Sequence, residues 1–500
     1  MNLRPYQLQV VEAVKRGWAE FNRQLIAVPT GGGKTIIFAH LAAATPGRTL
    51  ILAHREELIE QAIDKIHAAT GIRAHKEKAE AHASKDARVV VASVQTMIRR
   101  LEDWPPDHFQ LIVADEAHHA VSDSWQRVLS HFHAKVLGVT ATPDRADKRE
   151  LGSYFENIAA EVALLDLIQD GYLSRITVKS VPIEIDLSAV KSTAGDLDAS
   201  GLGHALEPYL SAIAAAIKEH ASFRRVLAFL PLRATSHKFV DACRAVGLLA
   251  GHVDGESPDR AEILQRFRAW EFDVLSNAML LTEGYDDPGI DCVVCLRPTR
   301  SRPLFAQMVG RGTRIDDCKD NLLLLDFLWL HERHSITRPA HLIATSESEA
   351  DVITTLSQEA KPGGGDGQDL MDLATSAQSQ REDRLRKALA EHRGKKTKVI
   401  SAEEFALGHG ALDVAEFEAV MQWERDKVTA KQAAVLTRAK IDMKTVRGKG
   451  HASKLIDLVF RNAKLQLASP SQQAFMRRMG HPSAETATAY EARKFFSSLK

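Results

Sequence analysis

The stretch AVPTGGGKT, from Ala27 to Thr35, decides the fold, because a glycine-rich turn there joins an apolar run to a helical pattern. Backbone N–H groups in such a turn wrap a phosphate, and Gly31 and Gly33 let the chain approach that phosphate closely. Lys34 supplies positive charge for the β- and γ-phosphates, and Thr35 supplies a hydroxyl for Mg²⁺ at the positive end of the helix dipole. The stretch predicts a nucleoside-triphosphate site.

One residue of this loop departs from the strict phosphate-loop pattern. Val28 stands where the pattern places its first glycine. The alternative is a glycine-rich loop that binds no phosphate, so the other parts of a nucleotide site have to decide between the two interpretations.

The length and composition indicate a globular protein with several domains. At 500 residues the chain is too long for one hydrophobic core, and we expect three or four domains. Hydrophobic residues make up 45% and charged residues 26%, which is typical of globular proteins. The first residues have no signal-peptide pattern, and no uncharged apolar run approaches about 18 residues. We therefore expect no membrane contact.

The four cysteines indicate a reducing compartment. Cys292 and Cys295 have the spacing of a zinc-binding pair, but they lie in the apolar run CVVCL and no second pair is nearby. Two thiols in a hydrophobic core are therefore the favoured interpretation, with a zinc site as the alternative.

The formal net charge of zero conceals a division along the chain. Residues 381–500 carry 24 Lys and Arg against 14 Asp and Glu, so the preceding residues carry 41 against 51. This asymmetry favours a tail that faces nucleic acid, although a solvated helical surface would also be charged.

Short apolar runs alternate with helical patterns along the first two thirds of the chain. The first series of runs lies at residues 25–28, 49–54, 88–93, 111–115 and 135–140. Each run is continuous rather than alternating, as strands covered by helices on both faces must be. A second series begins at VLAFLP and continues with FDVLSN, DCVVCL and NLLLLDF. Two parallel α/β sheets in tandem are predicted, with ligands at the carboxyl ends of the strands.

The chain beyond these sheets has a different character. Residues 345–380 are acidic with KPGGGDG at their centre, which predicts a flexible linker. Residues 428–459 align without a gap with residues 468–499, and each unit predicts a helical hairpin capped by Thr429 or Ser469. We expect a basic helical tail with two repeats of about forty residues.

A phosphate loop needs a carboxylate that holds a metal ion, and LIVADEAHHA at residues 111–120 supplies it. Asp115 ends an apolar run and is placed to hold Mg²⁺ through water, while Glu116 is placed to polarise the attacking water. The alternative, a solvated acidic loop, gives no reason for a charged pair to close an apolar strand. His118 is equally consistent with a packed side chain.

Hydrolysis of a triphosphate also needs positive charge on the transferred phosphoryl group. QMVGRGTR, at residues 307–314, places Gln307, Arg311 and Arg314 on one face of a short helical stretch. We expect the two arginines to act as arginine fingers across a cleft, with water-solvated surface arginines as the alternative.

The order LRPYQ, PTGGGKT, AHREEL, DEAH, TATP, TEGYDDP, QMVGRGTR resembles the motif series of superfamily-2 helicases of the DEAH/DExH kind. The resemblance covers residue 3 to about residue 335. LLLLDFLWLHERH, at residues 322–334, further resembles phage or prophage helicases and bacterial RadD-like proteins. RadD-like proteins carry a cysteine-rich zinc segment after the motor, and the cysteines of this chain do not match it, so the phage and prophage branch is nearer.

The resemblance implies two tandem RecA-like P-loop NTPase domains that use ATP and Mg²⁺, followed by a small, mostly helical C-terminal domain. The implied boundaries are residues 1–165, 166–344, 345–380 and 381–500 for the ATP-binding domain, the second RecA-like domain, the linker and the tail. The implied catalytic residues are Lys34, Asp115, Glu116, Gln307, Arg311 and Arg314.

The resemblance also implies the remaining site residues. Gln7 would read the adenine with Tyr6 alongside, and Thr35 and Asp115 would hold Mg²⁺. The implied nucleotide-binding residues are Arg4, Gln7, Thr30, Gly31, Gly32, Gly33, Lys34, Thr35, Gly284 and Asp286. The residues implied to couple nucleotide state to domain closure are His118, Thr140 and Thr142. The implied nucleic-acid contacts are Arg55, Ser93, Gln95, Thr96 and Asn277.

The expected function is that of an ATP-dependent DNA helicase or translocase in replication, recombination or repair. We expect a monomer in the cytoplasm of a bacterial or phage-infected cell, with DNA preferred over RNA and with replication or recombination proteins as partners. An RNA helicase and a restriction-type duplex translocase share these motifs. A nucleic-acid-binding adaptor switched by ATP is the alternative from another class, but an adaptor has no need of Glu116 and both arginines.

Overall fold

The computed structural model describes most of the chain. The described ranges are residues 3–53, 56–141, 151–181, 183, 185–193, 196–282, 284–327, 336–344, 347–359, 367–380, 401–408, 411–415, 417–419, 421–464, 476, 479, 491 and 495–496. The chain divides into two compact units, Met1–Ser379 and Gln380–Lys500.

The five apolar runs of the first series form strands of one parallel sheet, as predicted. Its seven strands are β1 Arg23–Ala27, β2 Thr49–Ala53, β3 His75–Glu77, β4 Val89–Ser93, β5 Leu111–Asp115, β6 Lys135–Thr140 and β7 Asn157–Glu161. Their order across the sheet is β3-β4-β2-β5-β6-β1-β7, and every pairing is parallel. The strands that carry the phosphate loop and the acidic segment therefore end at the same edge.

Helices cover both faces of this sheet, which explains why its strands are continuously apolar. Leu111 and Val113 of β5 pack with one layer of helices, and Ile112 and Ala114 pack with the opposite layer. All four side chains are buried, so no strand position faces water along this run.

The second series of apolar runs forms a second sheet. Its strands are β8 Ile176–Ser180, β11 Val226–Phe229, β12 Ala250–Val253, β13 Val274–Asn277, β14 Cys292–Cys295, β15 Leu322–Asp326 and β16 Gln368–Asp369. Their order is β12-β13-β11-β14-β15-β8-β16, parallel except for the antiparallel pair β16–β8. A separate two-stranded sheet joins β9 Ser192–Thr193 to β10 Asp196–Leu197. The predicted architecture of two tandem parallel sheets is confirmed.

The helices of the first unit lie between these strands. Within the described ranges they include Pro5–Gly17, Lys34–Ala44, Glu56–Thr70, Val94–Arg99, Asp123–His131, Leu164–Gln169, Ala199–Leu206, Leu210–Ala221, Arg233–Ala245, Arg260–Arg268, Arg302–Val309 and Glu347–Glu359. Short 3₁₀ turns lie at residues 101–103, 117–119, 207–209, 280–282 and 339–342.

Cys292 and Cys295 are buried free thiols on β14. Burial raises the pKa of both thiols, which keeps them protonated and poor metal ligands at neutral pH. The interpretation as core residues therefore fits their surroundings.

The prediction of a flexible linker over residues 345–380 is wrong for the parts of it that the structure describes. Residues 347–359 form a helix whose Ala350 and Ile353 pack into the core of the second sheet. Residues 368–369 add the edge strand β16, and residues 370–380 are helical. Most of the glycine run between these segments lies outside the described residues. Buried apolar side chains outweigh the acidic composition here, because one face of each helix lies against the core.

The second unit has its own hydrophobic core, built from short helices. Its described helices are Ala402–Gly408, Leu412–Ala415, Ala430–Arg438 and Lys449–Lys464, with 3₁₀ turns at Gln422–Arg425 and Met443–Thr445. The helices at residues 430–438 and 449–464 form the first predicted hairpin, and Thr429 accepts a hydrogen bond from Gln432 N as its N-cap. The second predicted hairpin lies almost wholly outside the described residues.

Among the described residues, no helix combines the length and the apolar character needed to cross a lipid bilayer.

Candidate active site at the phosphate loop

The phosphate loop follows β1 with the backbone that its sequence predicts. Gly31 and Gly33 have φ angles of 87° and 77°, a conformation that side chains disfavour, and helix 34–44 starts directly after Gly33. The first N–H groups of a helix have no partner inside the helix, so they face the position of an anion. Val28, which replaces the expected glycine, is fully buried and its N–H donates to Thr140 O at 2.9 Å. The loop is therefore anchored to the end of β6.

The N-terminal LRPYQ segment lies against this loop. The hydroxyl of Tyr6 donates to Gly32 O at 2.6 Å, and Gln7 Nε2 donates to the same oxygen at 3.3 Å. Gln7 is held in turn, because Arg4 N donates to its Oε1 at 2.9 Å. The guanidinium of Arg4 stacks over Tyr172, 5.0 Å from the ring centroid. The structure thus brings Arg4 and Gln7 to the phosphate loop.

Lys34 and Glu116 form the centre of the site. Lys34 Nζ lies 3.1 Å from Glu116 Oε1, and both side chains are largely shielded from solvent. Burial pushes the pKa of Glu116 upward, but the charges of Lys34, His118 and Arg311 outweigh burial and hold the pKa below its usual value. Glu116 is therefore a carboxylate at neutral pH, as an acceptor of a water proton must be.

The backbone at Glu116 adopts a strained conformation. Its φ and ψ are 51° and 59°, the left-handed conformation that costs a non-glycine residue about 1–2 kcal/mol. Glu116 Oε2 is buried and has no hydrogen-bond partner among the described residues, with His118 Nδ1 at 3.6 Å. Strained residues of this kind cluster at functional sites, where surrounding contacts hold them.

The arginine segment comes from the second sheet. Gln307 is buried on helix 302–309, but this helix ends at Val309, so Arg311 and Arg314 lie in the irregular segment after it and not on one helix face with Gln307 as predicted. Arg311 Nη1 donates to Tyr285 O at 2.9 Å, and Arg314 Nη1 lies 2.5 Å from Asp286 Oδ1. The predicted arginine pair is thus fixed by the loop at residues 284–287.

The arginine segment and the phosphate loop touch each other. A Cβ on Gly310 would lie 2.5 Å from Thr30 Cβ, and a Cβ on Gly31 would lie 3.3 Å from Thr313 Oγ1 and 3.8 Å from Arg314 Cγ. The charge of Arg311 also acts on Glu116. Segments about 280 residues apart in sequence therefore form one composite site.

The loop at residues 284–287 contacts the first domain as well. Lys65 Nζ lies 3.0 Å from Asp286 Oδ2, and Gln61 donates to Gly284 O. Burial raises the pKa of Asp286, but Arg314, Lys65 and Arg311 outweigh burial and lower it overall. The predicted nucleotide contacts Gly284 and Asp286 thus lie at the domain boundary, and Asp286 holds Arg314 and Lys65 in this structure.

Four of the predicted nucleic-acid contacts, Ser93, Gln95, Thr96 and Asn277, lie among the described residues. Ser93 is buried and caps helix 94–99 by accepting a hydrogen bond from Thr96 N, while Gln95 is exposed beside it. Asn277 is fully buried, its amide donates to Ala228 O at 2.9 Å and its oxygen accepts from Leu281 N at 3.1 Å. The side chain of Asn277 thus bonds to β11 and to the turn after β13, so its polar groups are already occupied inside the second domain and do not support its predicted contact with nucleic acid.

Two further predicted residues, Arg55 and Thr142, lie outside the described residues. Thr140 is described and is buried at the end of β6, opposite Ala27 of β1. This position links the phosphate loop to the strand that leads to the TATP segment.

The residues at this edge fit a triphosphate with Mg²⁺. Thr35 and Asp115 supply the oxygen ligands that Mg²⁺ prefers, and Glu116 N donates to Asp115 Oδ1 at 3.1 Å. Gly31 and Gly33 give a backbone cradle that a side chain would fill, and Gly33 already lies close to Gln7. Lys34 supplies the neutralising charge.

Sequence reasoning missed three residues that shape this site. Gln61 and Lys65 lie on an ordinary amphipathic helix, and Lys319 lies in a polar turn, so no local pattern marks them. Gln61 and Lys65 bond to residues more than 200 positions away in the sequence. Lys319 bonds to backbone carbonyls, which every residue type has.

Two protein-family models match the chain. Residues 1–145 match the family "Type III restriction enzyme, res subunit", and residues 208–316 match the "Helicase conserved C-terminal domain". Together these matches cover the phosphate loop, the acidic segment and the arginine segment.

The chain is similar to named proteins over 60–72% of its length. It is 33% identical over 396 residues to a Saccharomyces cerevisiae protein named as the ATP-dependent helicase IRC3, covering 72% of this chain and 56% of the relative. It is 34% identical to a Schizosaccharomyces pombe protein named as the mitochondrial ATP-dependent helicase irc3, covering 70% and 61%. A 51.5 kDa protein of a Lactococcus phage is 27% identical over 60% of this chain and 64% of its own length. The chain thus spans less than two thirds of these relatives.

Two solved structures share the fold. A fragment named as an HsdR subunit of a type I restriction enzyme from Vibrio vulnificus superposes with a TM-score of 0.53 at 24% identity, over 65% of this chain and 64% of the fragment. The ATP-dependent Type ISP restriction-modification enzyme LlaBIII, solved bound to DNA, superposes with a TM-score of 0.54 at 15% identity, over 100% of this chain and 42% of that chain.

Proposed function

Because the chain belongs to the superfamily-2 helicases, which are ATP-dependent nucleic-acid enzymes, we propose that it couples ATP hydrolysis to movement along DNA or to its unwinding. The observation that carries this proposal is the composite site, in which Gly310 abuts Thr30 and Arg311 acts on Glu116. A site completed by two domains makes hydrolysis depend on their closure.

In the proposed mechanism Lys34 and the loop amides hold the triphosphate, and Gln7 reads the base. Thr35 and Asp115 would hold Mg²⁺, which neutralises phosphate charge when bound. Glu116 accepts the proton of the attacking water, and Arg311 and Arg314 stabilise the charge that develops on the phosphoryl group. Product release weakens the link between the domains, so their grip on the nucleic-acid backbone changes with each cycle.

The first test measures ATP hydrolysis with single-stranded DNA, duplex DNA, forked DNA and RNA, and scores strand displacement on the same substrates. We expect stimulation by DNA, and Lys34→Ala and Glu116→Gln should each abolish it while leaving the fold intact. Arg311→Ala should lower kcat by a factor of 10³ or more, as arginine fingers elsewhere do. A folded Glu116→Gln protein with normal turnover would refute the assignment.

A restriction-type duplex translocase is the second candidate, because the first family match and both solved structures are named for restriction enzymes. It would hydrolyse ATP on duplex DNA without displacing a strand. An RNA helicase would be stimulated by RNA alone, and an ATP-switched adaptor would bind nucleic acid without turnover. The substrate series separates all four outcomes.

We further propose that the first hairpin of the second unit binds a nucleic-acid backbone. Residues 427–454 carry eight Lys and Arg and one Asp. Lys431, Arg438, Lys440 and Lys444 are all exposed. Lys440 has a φ of 60° in the turn after helix 430–438, where glycine or asparagine is usual, so a charged side chain occupies a strained position. Phosphate contacts of this kind are independent of sequence and sensitive to salt.

Full-length protein with Lys431, Lys440 and Lys444 changed to Gln tests this surface. We expect weaker binding and a slope of log K against log salt that is less negative by about 2 to 3, since each lost phosphate contact contributes roughly 0.7–0.9. The control replaces Lys15, Lys191 and Lys238 of the first unit, which are also exposed, by Gln. Equal affinity and slope for the wild type and the hairpin variant would refute the binding role.

We propose a monomer that acts with replication or recombination proteins in the cytoplasm of a bacterial or phage-infected cell, while one relative is named mitochondrial. We also propose domain boundaries after residues 165 and 380, with residues 347–359 and 368–380 belonging to the second sheet domain.

A further inference from the structure

Lys319 lies in the turn before β15 and its ammonium group binds three backbone carbonyls. Lys319 Nζ donates to Gly312 O at 2.6 Å, to Ile290 O at 2.8 Å and to Pro288 O at 3.1 Å. The first carbonyl belongs to the arginine segment, and the other two belong to the loop that begins at Gly284. One side chain thus connects both loops.

These two loops hold the arginines of the proposed ATP site. Arg311 donates to Tyr285 O, and Arg314 pairs with Asp286. The backbone at Gly312 packs directly on Leu322 of β15, with no space for a side chain. Lys319 therefore draws the arginine segment toward the 284–290 loop while β15 supports it from behind.

The protonation state of Lys319 decides whether this connection is complete. An ammonium group has three N–H donors, one for each of the three carbonyls, and carbonyl oxygens only accept. A neutral amine keeps two donors and turns a lone pair toward the third oxygen, so one hydrogen bond is lost and a repulsive contact replaces it.

We propose that Lys319 is a positioning residue of the ATP site, whose ammonium group holds the segment carrying Arg311 and Arg314 against the 284–290 loop and releases it on deprotonation. This inference rests on the proposed role of the two arginines in ATP hydrolysis. Lys319 itself does not touch the reacting atoms.

The surroundings place this release in a mildly alkaline range. Burial lowers the pKa of Lys319 to about 8, with a further lowering from Arg314, although Asp291, Asp316 and Asp287 act in the opposite direction. A solvent-exposed lysine has a pKa near 10.4, so Lys319 loses its proton, and with it one hydrogen bond between the two loops, about two pH units lower than an exposed lysine would.

A loss of activity between about pH 8 and pH 10 would not be explained by unfolding of the protein on deprotonation of Lys319. The pKa of Lys319 is lower in the folded than in the unfolded chain, so between about pH 8 and pH 10 the unfolded chain binds more protons. Deprotonation of Lys319 therefore raises the free energy of unfolding as the pH increases. A structural role predicts greater stability in this window, whereas the positioning role predicts a lower kcat.

The experiment measures kcat and KM for ATP from pH 6.5 to pH 9.5 at saturating DNA, well below the unfolding temperature. The variants are Lys319→Arg, Lys319→Met and Cys318→Ser, the last being the exposed neighbour as a matched control. We expect the wild-type kcat to fall above about pH 8, with KM changed less. Lys319→Arg should lack this fall because a guanidinium stays charged.

Lys319→Met should lower kcat at pH 7 by roughly tenfold to a hundredfold, as misplaced catalytic groups do, and should also lack the alkaline fall. Cys318→Ser should keep the wild-type profile. Should Lys319→Met fail to fold, the profile of Lys319→Arg decides the question. An unchanged alkaline fall in Lys319→Arg, or a wild-type kcat and profile in Lys319→Met, would overturn the role of Lys319. ATP hydrolysis that survives Glu116→Gln would instead refute the proposed function.

Discussion

Replacing Gly310 by alanine separates domain closure from folding stability. Gly310 ends helix 302–309 with φ −60° and ψ −14°, a conformation that alanine adopts without strain. Its added Cβ would lie 2.5 Å from Thr30 Cβ and 2.8 Å from both Thr30 Cγ2 and Ala306 O. Because Thr30 belongs to the phosphate loop, the methyl group would stand between the two domains.

The size of the effect follows from these distances. Two carbon atoms pack at about 3.7 Å, so Thr30 has to retreat by about 1 Å to admit the methyl group. A displacement of 1 Å between catalytic groups costs up to a factor of about 100 in rate. We expect kcat for DNA-stimulated ATP hydrolysis to fall about 100-fold, equivalent to roughly 2.7 kcal/mol of activation free energy. The backbone oxygen of Ala306 also has to yield within the second domain, so we expect the free energy of unfolding to fall by about 1–2 kcal/mol, less than the change in activation free energy.

The assay combines steady-state ATP hydrolysis with thermal unfolding of the same protein. Gly255→Ala is the matched control, since a Cβ there has no neighbour within 4 Å and should leave both quantities unchanged. A Gly310→Ala protein with wild-type kcat would show that this contact is not needed for hydrolysis. A large drop in unfolding temperature would show that the clash is absorbed within the second domain.

Two further perturbations test the link between the domains and the second unit. Lys65→Ala removes one of the two ion-pair partners of Asp286. Because the side chains of Lys65 and Asp286 are more than a third exposed, we expect their interaction to contribute at most about 1 kcal/mol to closure of the two domains. The ATPase rate of the variant should be modestly lower than that of the wild type at low salt and should equal it at high salt, where the charges are screened. An ATPase rate that stays below that of the wild type at high salt would contradict an electrostatic role of Lys65. His451 is fully buried, and burial lowers its pKa to about 4. The unfolded chain therefore binds more protons between about pH 6.5 and pH 4, so we expect the second unit to lose stability as the pH falls through this range. Thermal unfolding followed by circular dichroism should show this loss in the wild type and not in His451→Leu, and an equal pH dependence in both would contradict it.

Local sequence was sufficient for the strands of the first sheet and for the backbone of the phosphate loop. The continuous apolar runs predicted the five strands of the first sheet, since burial on both faces leaves no polar position in a strand. The phosphate loop was equally predictable, because the positive φ angles of Gly31 and Gly33 depend on the absence of a side chain at those residues. Acidic composition misled the prediction for residues 345–380, because composition does not show which helix face finds a core.

Sequence by itself determined that the chain has two parallel α/β sheets, a phosphate loop, an acidic strand end and an arginine segment, because periodicity, helix caps and glycine conformation are set within a few residues. Only the tertiary structure decided which of these segments meet. The contact of Gly310 with Thr30, the pairing of Lys65 with Asp286 and the three carbonyls of Lys319 depend on how distant elements pack. The same packing buries Asn277 and occupies its polar groups. Such contacts join residues far apart in the chain, and no local pattern carries them.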